Sequence, residues 1–489
     1  MRQLTSLDAQ FLAAEDGRTH GHVSAVAILD PSTTASGRLT LADVRRVFRE
    51  RLHLLPPLRW RLVRAPLDLD YPYWHDDPAF DLEFHVRELQ LPRPGTMDQL
   101  ADQVARIIGR PLDRSRPLWE VYLIDGLADG NVALLTKVHH ALVDGMSGAE
   151  ILGILFDLEP EGRTVAPDPE HGPDRRAGTL ELVARGVGSL PRQALRLARG
   201  VPATLQHIDT LPTLRHVPGA RLVARVGEQA HRAATRNRDG RMLERPRARA
   251  PRTSFNGRIT PHRRVAFASL SLPEIKAVKN AFGATVNDVV VTLCAAAVRE
   301  WLVDHGELPE DPLLAMVPIS VRTKEELGTF GNRISVMIAP LPTDEPDPAE
   351  RLRRTHEAMR SAKERHRAVP ADILSTANHL IPPSLFARAA RVTAGVSASS
   401  RFAPPYNLIL SNVPGPPVPI YIAGARQVAN YPVSFILDGV GLNITVFSYL
   451  DRVDFGLVAD RDLLPDVAAL AGALERAIDD LTAAARTLS

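Results

Sequence analysis

The chain contains 489 residues, of which 45% are hydrophobic and 24% are charged, and its formal net charge is +2. This composition is typical of a folded globular protein and excludes a chain that is disordered throughout. The chain is longer than a domain with a single hydrophobic core usually is, so we expect at least two domains. The longest apolar run, residues 289–298, has about half the length of a membrane-spanning helix, which argues against a membrane-spanning chain.

The N-terminus and the cysteine content indicate the cellular compartment. Residues 1–17 lack the apolar core and the small-residue cleavage site of a secretory signal, so a cytoplasmic chain is expected. The single cysteine, Cys294, excludes an intrachain disulfide and lies in the apolar run. We expect it to pack there as a small hydrophobic side chain rather than to react.

The N-terminal part of the chain alternates strand-like and helix-like segments, the pattern of an α/β fold. The predicted segments are a strand at 21–29, amphipathic helices at 40–52 and 96–109, and strands at 119–127 and 131–139. Asp129 and Gly130 separate the last two runs and predict a tight turn between antiparallel strands. Ser147 and Glu150 have capping-box spacing, so a helix is expected to begin near Ser147.

A segment of unusual charge follows. Residues 171–252 contain 17 arginines, no lysine and 6 acidic residues, which gives a formal charge of +11. One interpretation is a solvated, partly helical linker between domains. The other is an amphipathic basic surface that contacts anionic lipid. Nucleic-acid binding is disfavoured, because no known binding motif and no interleaved aromatic residues accompany the charge.

A second α/β unit is predicted after this segment. Its predicted elements are strands at 263–272, 313–322, 332–342, 407–412, 439–450 and 452–461, and helices at 273–283, 285–306 and 464–487. We therefore divide the chain into an N-terminal subdomain at 1–170, an arginine-rich linker at 171–255 and a C-terminal subdomain at 256–489.

The sequence KVHHALVDG at 137–145 is the strongest chemical signal in the chain. A single histidine on a strand is most often a hydrogen-bonded core residue. The combined pattern of His139 and His140 followed by Asp144 and Gly145, however, rarely occurs by chance. A metal site would need a third ligand at matching spacing, which is missing. A serine hydrolase would need a GxSxG elbow, and Ser147 lacks that frame.

General-base catalysis remains as the chemical interpretation. A histidine at a strand end can present a ring nitrogen to a substrate hydroxyl group, and its pKa near neutrality suits proton abstraction. Its neighbour points elsewhere, because successive side chains on a strand face opposite sides. Asp144 would either orient the imidazole or hold the loop through an arginine, and Gly145 permits a positive φ or a close approach.

These residues resemble a known family. HHALVDG matches the HHxxxDG motif of the coenzyme A-dependent acyltransferase superfamily, which includes chloramphenicol acetyltransferases and the condensation domains of peptide synthetases. PLW at Pro117, Leu118 and Trp119, together with ND at Asn287 and Asp288, is similar to the bacterial wax ester synthase/diacylglycerol acyltransferases. Further matching segments lie at 4–17, 56–62, 110–127, 285–302, 317–322, 330–342 and 411–416.

The resemblance implies a fold and a reaction. The fold would be α/β, with two chloramphenicol acetyltransferase-like subdomains whose mixed sheets are flanked by helices, and with a tunnel at their interface. Long-chain acyl-CoA would enter the tunnel from one side and the acceptor alcohol, a diacylglycerol or a fatty alcohol, from the other. No metal and no cofactor are implied, since acyl-CoA is a substrate.

The resemblance also implies residue roles. His140 would be the general base, with direct attack on the thioester, and Asn287 would donate a hydrogen bond to the oxyanion. Asp144 carries over as a structural acid, and our own expectation is that Arg322 is its charge partner. Structural roles are implied for His139, Gly145 and Asp288, and tunnel-lining roles for Pro117, Leu118 and Trp119. Two plainer alternatives are that the PLW residues fill a core and that Asn287 caps a helix.

The predicted function is therefore an acyl-CoA-dependent O-acyltransferase that forms triacylglycerol or wax ester. One alternative is an acyltransferase of the same superfamily with a specialised acceptor, such as a polyketide alcohol or a carrier-bound substrate. Another is a non-catalytic lipid-surface protein. The expected location is the cytoplasm, with peripheral contact at the inner membrane or at lipid inclusions as a further expectation, and no nucleic-acid partner is expected.

Overall fold

A computed structural model describes residues 1–64, 66, 70–143, 148–167, 250–320, 334–367 and 403–488, and the single positions 178, 181, 184 and 188. Within these residues the strands form two six-stranded mixed sheets and one three-stranded sheet. Helices pack against both large sheets. This arrangement agrees with the predicted α/β class. The arginine-rich segment at 171–252 lies almost entirely outside the described residues.

The N-terminal half contains seven strands and six α-helices in its described residues. The strands are β1 (Arg2–Gln3), β2 (His22–Asp30), β3 (Trp60–Val63), β4 (Tyr73–Asp76), β5 (Val86–Gln90), β6 (Trp119–Asp125) and β7 (Val132–His139). The helices are α1 (Ser6–Ala14), α2 (Leu41–Arg51), α3 (Leu82–His85), α4 (Met97–Ile108), α5 (His140–Val143) and α6 (Gly148–Leu155).

The C-terminal half contains eight strands and four α-helices in its described residues. The strands are β8 (Arg263–Ser271), β9 (Leu313–Ser320), β10 (Ile334–Leu341), β11 (Leu408–Pro414), β12 (Tyr421–Ile422), β13 (Ala425–Val433), β14 (Leu442–Tyr449) and β15 (Arg452–Asp460). The helices are α7 (Leu272–Phe282), α8 (Val286–Asp304), α9 (Pro348–Arg367) and α10 (Val467–Arg486).

The hairpin that leads to the histidine pair is confirmed. Strands β6 and β7 are antiparallel, with Trp119 opposite Val138 and Ile124 opposite Ala133. Gly130 in the turn has a φ of +80°, a conformation that glycine adopts without steric cost. On its other side β7 pairs with β2, which places His22 opposite His139. The end of β7 is therefore held from both sides.

Helix α4 packs against the C-terminal half of the chain and stabilises the same region. Thr96 caps its N-terminus in a capping box with Gln99, and the helix contacts β8. Its last carbonyl groups would lack partners in an isolated helix. Buried Lys137 donates to the carbonyls of Ile107 and Arg110, at 3.1 and 2.7 Å, so β7 is tied to the end of this helix.

One strand of the first large sheet comes from the C-terminal half. The order of this sheet is β12-β13-β2-β7-β6-β5, and β13 pairs antiparallel with β2. Strand β13 also contacts β15 of the second sheet so closely that a Cβ at Gly456 would lie 1.6 Å from the carbonyl oxygen of Pro432. The carboxylate of Asp454 accepts a hydrogen bond from the backbone of Asn430 at 2.8 Å. The two halves are thus interlocked, although the predicted division at 170 and 255 remains a prediction.

The second large sheet has the order β10-β9-β11-β14-β15-β8. Its core is formed with α8 and α10 and contains Cys294, which is fully buried. Its full burial confirms that Cys294 packs as a small hydrophobic side chain, and burial raises the pKa of its thiol. Within the described residues, no single helix is both long enough and apolar enough to cross a membrane. The consecutive helices α7 and α8, with a bend of 102° between them, reach the required length and hydropathy only when they are taken together.

Candidate active site

The two histidines of HHALVDG lie where strand β7 gives way to the short helix α5. His139 is the last residue of the strand and His140 is the first residue of the helix. The backbone N–H of His139 donates to the carbonyl of Leu118 at 2.9 Å, and that of His140 donates to the carbonyl of Gly21 at 2.8 Å. Both backbones are therefore fixed, and their side chains have different surroundings.

The ring of His139 is buried and hydrogen-bonded at both nitrogens. Its Nδ1 accepts from the backbone N–H of Ala141 at 3.1 Å. In the neutral ring, the hydrogen must then sit on Nε2, which lies 3.1 Å from Oε1 of Glu15 and donates to it. His139 is thus held as a positioned donor, and its nitrogens are not free to take a proton from a substrate.

Glu15, just after helix α1, is a site residue that the sequence interpretation missed. Besides His139 it accepts hydrogen bonds from the backbone N–H of Gly21 and from Arg114, both at 2.6 Å. Burial alone would raise the pKa of the carboxyl, but the hydrogen bonds from His139, Arg114 and Gly21 outweigh it and hold the pKa well below its usual range. A charged carboxylate therefore anchors the histidine turn.

We expect Glu15→Gln to lower turnover about tenfold or more, because glutamine keeps one accepting oxygen but loses the charge, and hydrogen bonds to a charged group are worth about 1.5–3 kcal/mol. The hold of this side chain on His139 and Arg114 is thereby weakened. The measurement is the initial rate of the reaction that the sequence resemblance implies, which is thiol release from an acyl-CoA in the presence of an alcohol. Asp16→Asn is the matched control, because Asp16 is the adjacent acid and pairs with Arg18. Equal rates in the two variants would contradict the anchoring role of Glu15.

His140 lies between two aromatic rings from opposite halves of the chain. Phe11 of α1 stacks on it with ring centroids 4.0 Å apart and an interplanar angle of 21°. Phe435, which follows β13, meets it edge-on at 6.1 Å and 86°. The residue is partly buried overall, and its Nδ1 is buried with no hydrogen-bond partner among the described residues.

These surroundings keep the His140 ring neutral. Burial is the main cause that lowers the pKa of His140 from 6.5 to about 4. At neutral pH the imidazole therefore carries a free lone pair. A neutral histidine in an apolar pocket can accept a proton from a hydroxyl group that is brought to it.

Helix α8 carries the second part of the predicted site. Thr285 caps its N-terminus in a capping box with Asp288, so the alternative in which Asn287 is the cap is wrong. Buried Asp288 accepts from the backbone N–H of Thr285 at 3.0 Å and from Nδ1 of His356 at 2.8 Å. The side-chain oxygen of Asn287 accepts from Nδ2 of Asn412 at 3.2 Å.

The PLW residues lie in the core of the N-terminal half. Pro117 is buried, and Leu118 and Trp119 are fully buried. The Trp119 ring stacks on His85 at 4.4 Å, and its Nε1 donates to the carbonyl of Leu58 at 2.7 Å. These are the contacts of a core residue that supports the hairpin, and a tunnel-lining role remains a prediction.

Several predicted residues lie outside the described part of the chain. They are Asp144, Gly145, Ser147 and Arg322, and their roles remain predictions. Within the described residues, no three side chains of His, Cys, Asp or Glu group together as metal ligands.

Two models of one known family match most of the chain. The sequence model of the wax ester synthase/diacylglycerol acyltransferase catalytic domain matches residues 4–290, and that of the WS/DGAT C-terminal domain matches residues 330–482. A Mycobacterium tuberculosis protein named as a diacylglycerol O-acyltransferase is 36% identical over 482 residues, which cover 98% of this chain and 90% of the relative.

Two solved structures are similar to this one. The wax ester synthase/diacylglycerol acyltransferase from Marinobacter aquaeolei VT8 is 30% identical and superposes with a TM-score of 0.68 over 99% of both chains. The first condensation domain of the CDA synthetase superposes with a TM-score of 0.52 over 99% of this chain and 95% of that domain, at 16% identity. The second similarity concerns the fold alone.

Proposed function

The chain belongs to the wax ester synthase/diacylglycerol acyltransferase family and is an acyltransferase, and we propose that it transfers a long-chain acyl group from acyl-CoA to the hydroxyl group of a diacylglycerol or a long-chain fatty alcohol. The observation that carries the proposal is the neutral His140, held at a strand end between Phe11 and Phe435. A hydrophobic acceptor suits such aromatic surroundings better than water does.

His140 acts as the general base in this mechanism. It takes the proton of the acceptor hydroxyl group as the oxygen attacks the carbonyl carbon of the thioester, which produces a tetrahedral oxyanion and an imidazolium. The C–S bond then breaks, the carbonyl reforms as the ester, and the imidazolium returns the proton to the sulfur of coenzyme A. No acyl-enzyme forms in this mechanism. Proton transfer by a positioned general base typically contributes about 100- to 10,000-fold to the rate.

Asn287 donates a hydrogen bond to the oxyanion in this mechanism. Two features support the assignment. Its side-chain oxygen is already engaged by Asn412, which leaves the NH2 group as the available part of the amide. It is also the second residue of a 19-residue helix, and the N-terminus of such a helix favours nearby negative charge.

The pH dependence of the reaction tests the role of His140. Because only the neutral ring can accept a proton, and its pKa is lowered from 6.5 to about 4, activity should persist between pH 6.5 and pH 4 and fall as the pH passes through about 4. The measurement is kcat/KM for thiol release from palmitoyl-CoA that depends on added hexadecanol or dipalmitoylglycerol, because kcat/KM reports the pKa values of the free enzyme. An acid limb at 6.5 or above would contradict the proposed state of His140.

We further propose peripheral contact with anionic lipid. The support is the composition of residues 171–252, whose formal charge is +11 and whose leucine and valine residues could enter a lipid interface. This proposal is independent of the chemistry at His140.

A further inference from the structure

We propose that Asn412 is a positioning residue, which fixes the orientation of the Asn287 amide so that its NH2 group faces the reaction. The inference rests on the function proposed above, in which Asn287 is the oxyanion donor. The contact behind it is the hydrogen bond from Nδ2 of Asn412 to Oδ1 of Asn287, 3.2 Å long.

An unconstrained asparagine could present either face of its amide to a substrate. The two faces have opposite polarity, because the oxygen only accepts hydrogen bonds and the NH2 group only donates them. An amide turned the wrong way would place its oxygen near the developing negative charge and repel it. The donor from Asn412 engages the Asn287 oxygen, so the productive orientation exists before substrate arrives.

Both partners are mounted on rigid elements. Asn412 lies on β11, which is hydrogen-bonded along its length to β14 with Asn412 opposite Val446. Asn287 lies in the first turn of α8, which Asp288 holds through Thr285 and His356. Preorganised donors of this kind act without a reorganisation cost at the moment of reaction. The Asn412 side chain itself need not touch the substrate.

A double-mutant cycle between Asn412→Ala and Asn287→Ala tests the inference. In the wild-type background, Asn412→Ala should lower kcat about 3- to 10-fold, the usual range for one neutral hydrogen bond, with little change in KM for palmitoyl-CoA. In the Asn287→Ala background it should have no further effect, because the group that it orients is gone. Asn280→Ala, at an exposed asparagine that accepts from Lys279, is the control and should retain wild-type kcat.

Asn412→Asp provides a second, nearly isosteric variant. A carboxylate at this position can only accept, so it would draw the NH2 group of Asn287 toward itself, and kcat should fall at least as far as in Asn412→Ala. Wild-type kcat in Asn412→Asp, or the same fold-loss from Asn412→Ala in both backgrounds, would overturn the inference.

The outcomes also separate this inference from the proposed function. If Asn287→Ala retains wild-type kcat, the oxyanion role of Asn287 is wrong and the positioning role falls with it. If Asn287→Ala loses activity while Asn412→Ala does not, only the positioning role is wrong.

Discussion

Replacing His140 with alanine is expected to lower acceptor-dependent ester formation by about 100- to 10,000-fold, the contribution of a positioned general base. The reason is specific to this site. His139 is hydrogen-bonded at both nitrogens and cannot substitute for its neighbour, although the two are adjacent in the chain. The measurement is kcat for ester formed from palmitoyl-CoA and hexadecanol or dipalmitoylglycerol, with the unfolding temperature recorded for each variant.

Two further variants distinguish lost chemistry from lost packing. His140→Phe keeps a ring against Phe11 and Phe435 but has no basic nitrogen, so its loss of activity should equal that of His140→Ala. His262→Ala removes an exposed histidine and should leave turnover unchanged. Substantial activity in His140→Phe would show that the ring contributes packing rather than proton transfer.

The second large effect is expected at Asn287. Asn287→Ala should lower kcat about 100- to 1,000-fold, the cost found when a comparable oxyanion donor is removed, while KM for palmitoyl-CoA changes little. We expect kcat to fall without a change in KM because the oxyanion exists in the transition state and not in the bound thioester. Steady-state kinetics over a range of palmitoyl-CoA concentrations, at saturating acceptor, measure both quantities.

Asn287→Asp serves as the isosteric comparison, because it keeps the shape of the side chain and replaces the donor with an acceptor. We expect it to be no more active than Asn287→Ala. A variant that raises KM while kcat stays at the wild-type value would instead place Asn287 in ground-state binding of acyl-CoA.

Local sequence patterns predicted the elements on which the site is built. Two apolar runs separated by a turn signal at Asp129 and Gly130 predicted the hairpin of β6 and β7, and the structure confirms it. The apolar run predicted helix α8, and the structure shows that its cap is Thr285, in a capping box with Asp288, rather than Asn287. Both are residue types that favour helix starts, but Thr285 and Asp288 have the same spacing as Ser147 and Glu150, and this spacing favours Thr285.

Long-range contacts explain what the sequence did not predict. Strand β13 pairs with β2 from the other end of the chain, and no local signal specifies a partner so far away. In the sequence, Glu15 is an ordinary acidic residue after a helix. Its importance depends on the hydrogen-bond donors Gly21, Arg114 and His139, which lie 6, 99 and 124 residues away in the chain. The aromatic contacts that lower the polarity around His140 likewise bring Phe11 and Phe435 together across most of the chain.

The most direct test of the central claim is product analysis with a panel of acceptors. Wild-type protein and His140→Ala would each be incubated with palmitoyl-CoA and, separately, hexadecanol, dipalmitoylglycerol or no acceptor, and the free thiol and the lipid product would be quantified. We predict an ester that requires the acceptor, equals the thiol released, and nearly disappears in the variant. Ester formation unchanged by the substitution, or no ester with either alcohol, would contradict the account.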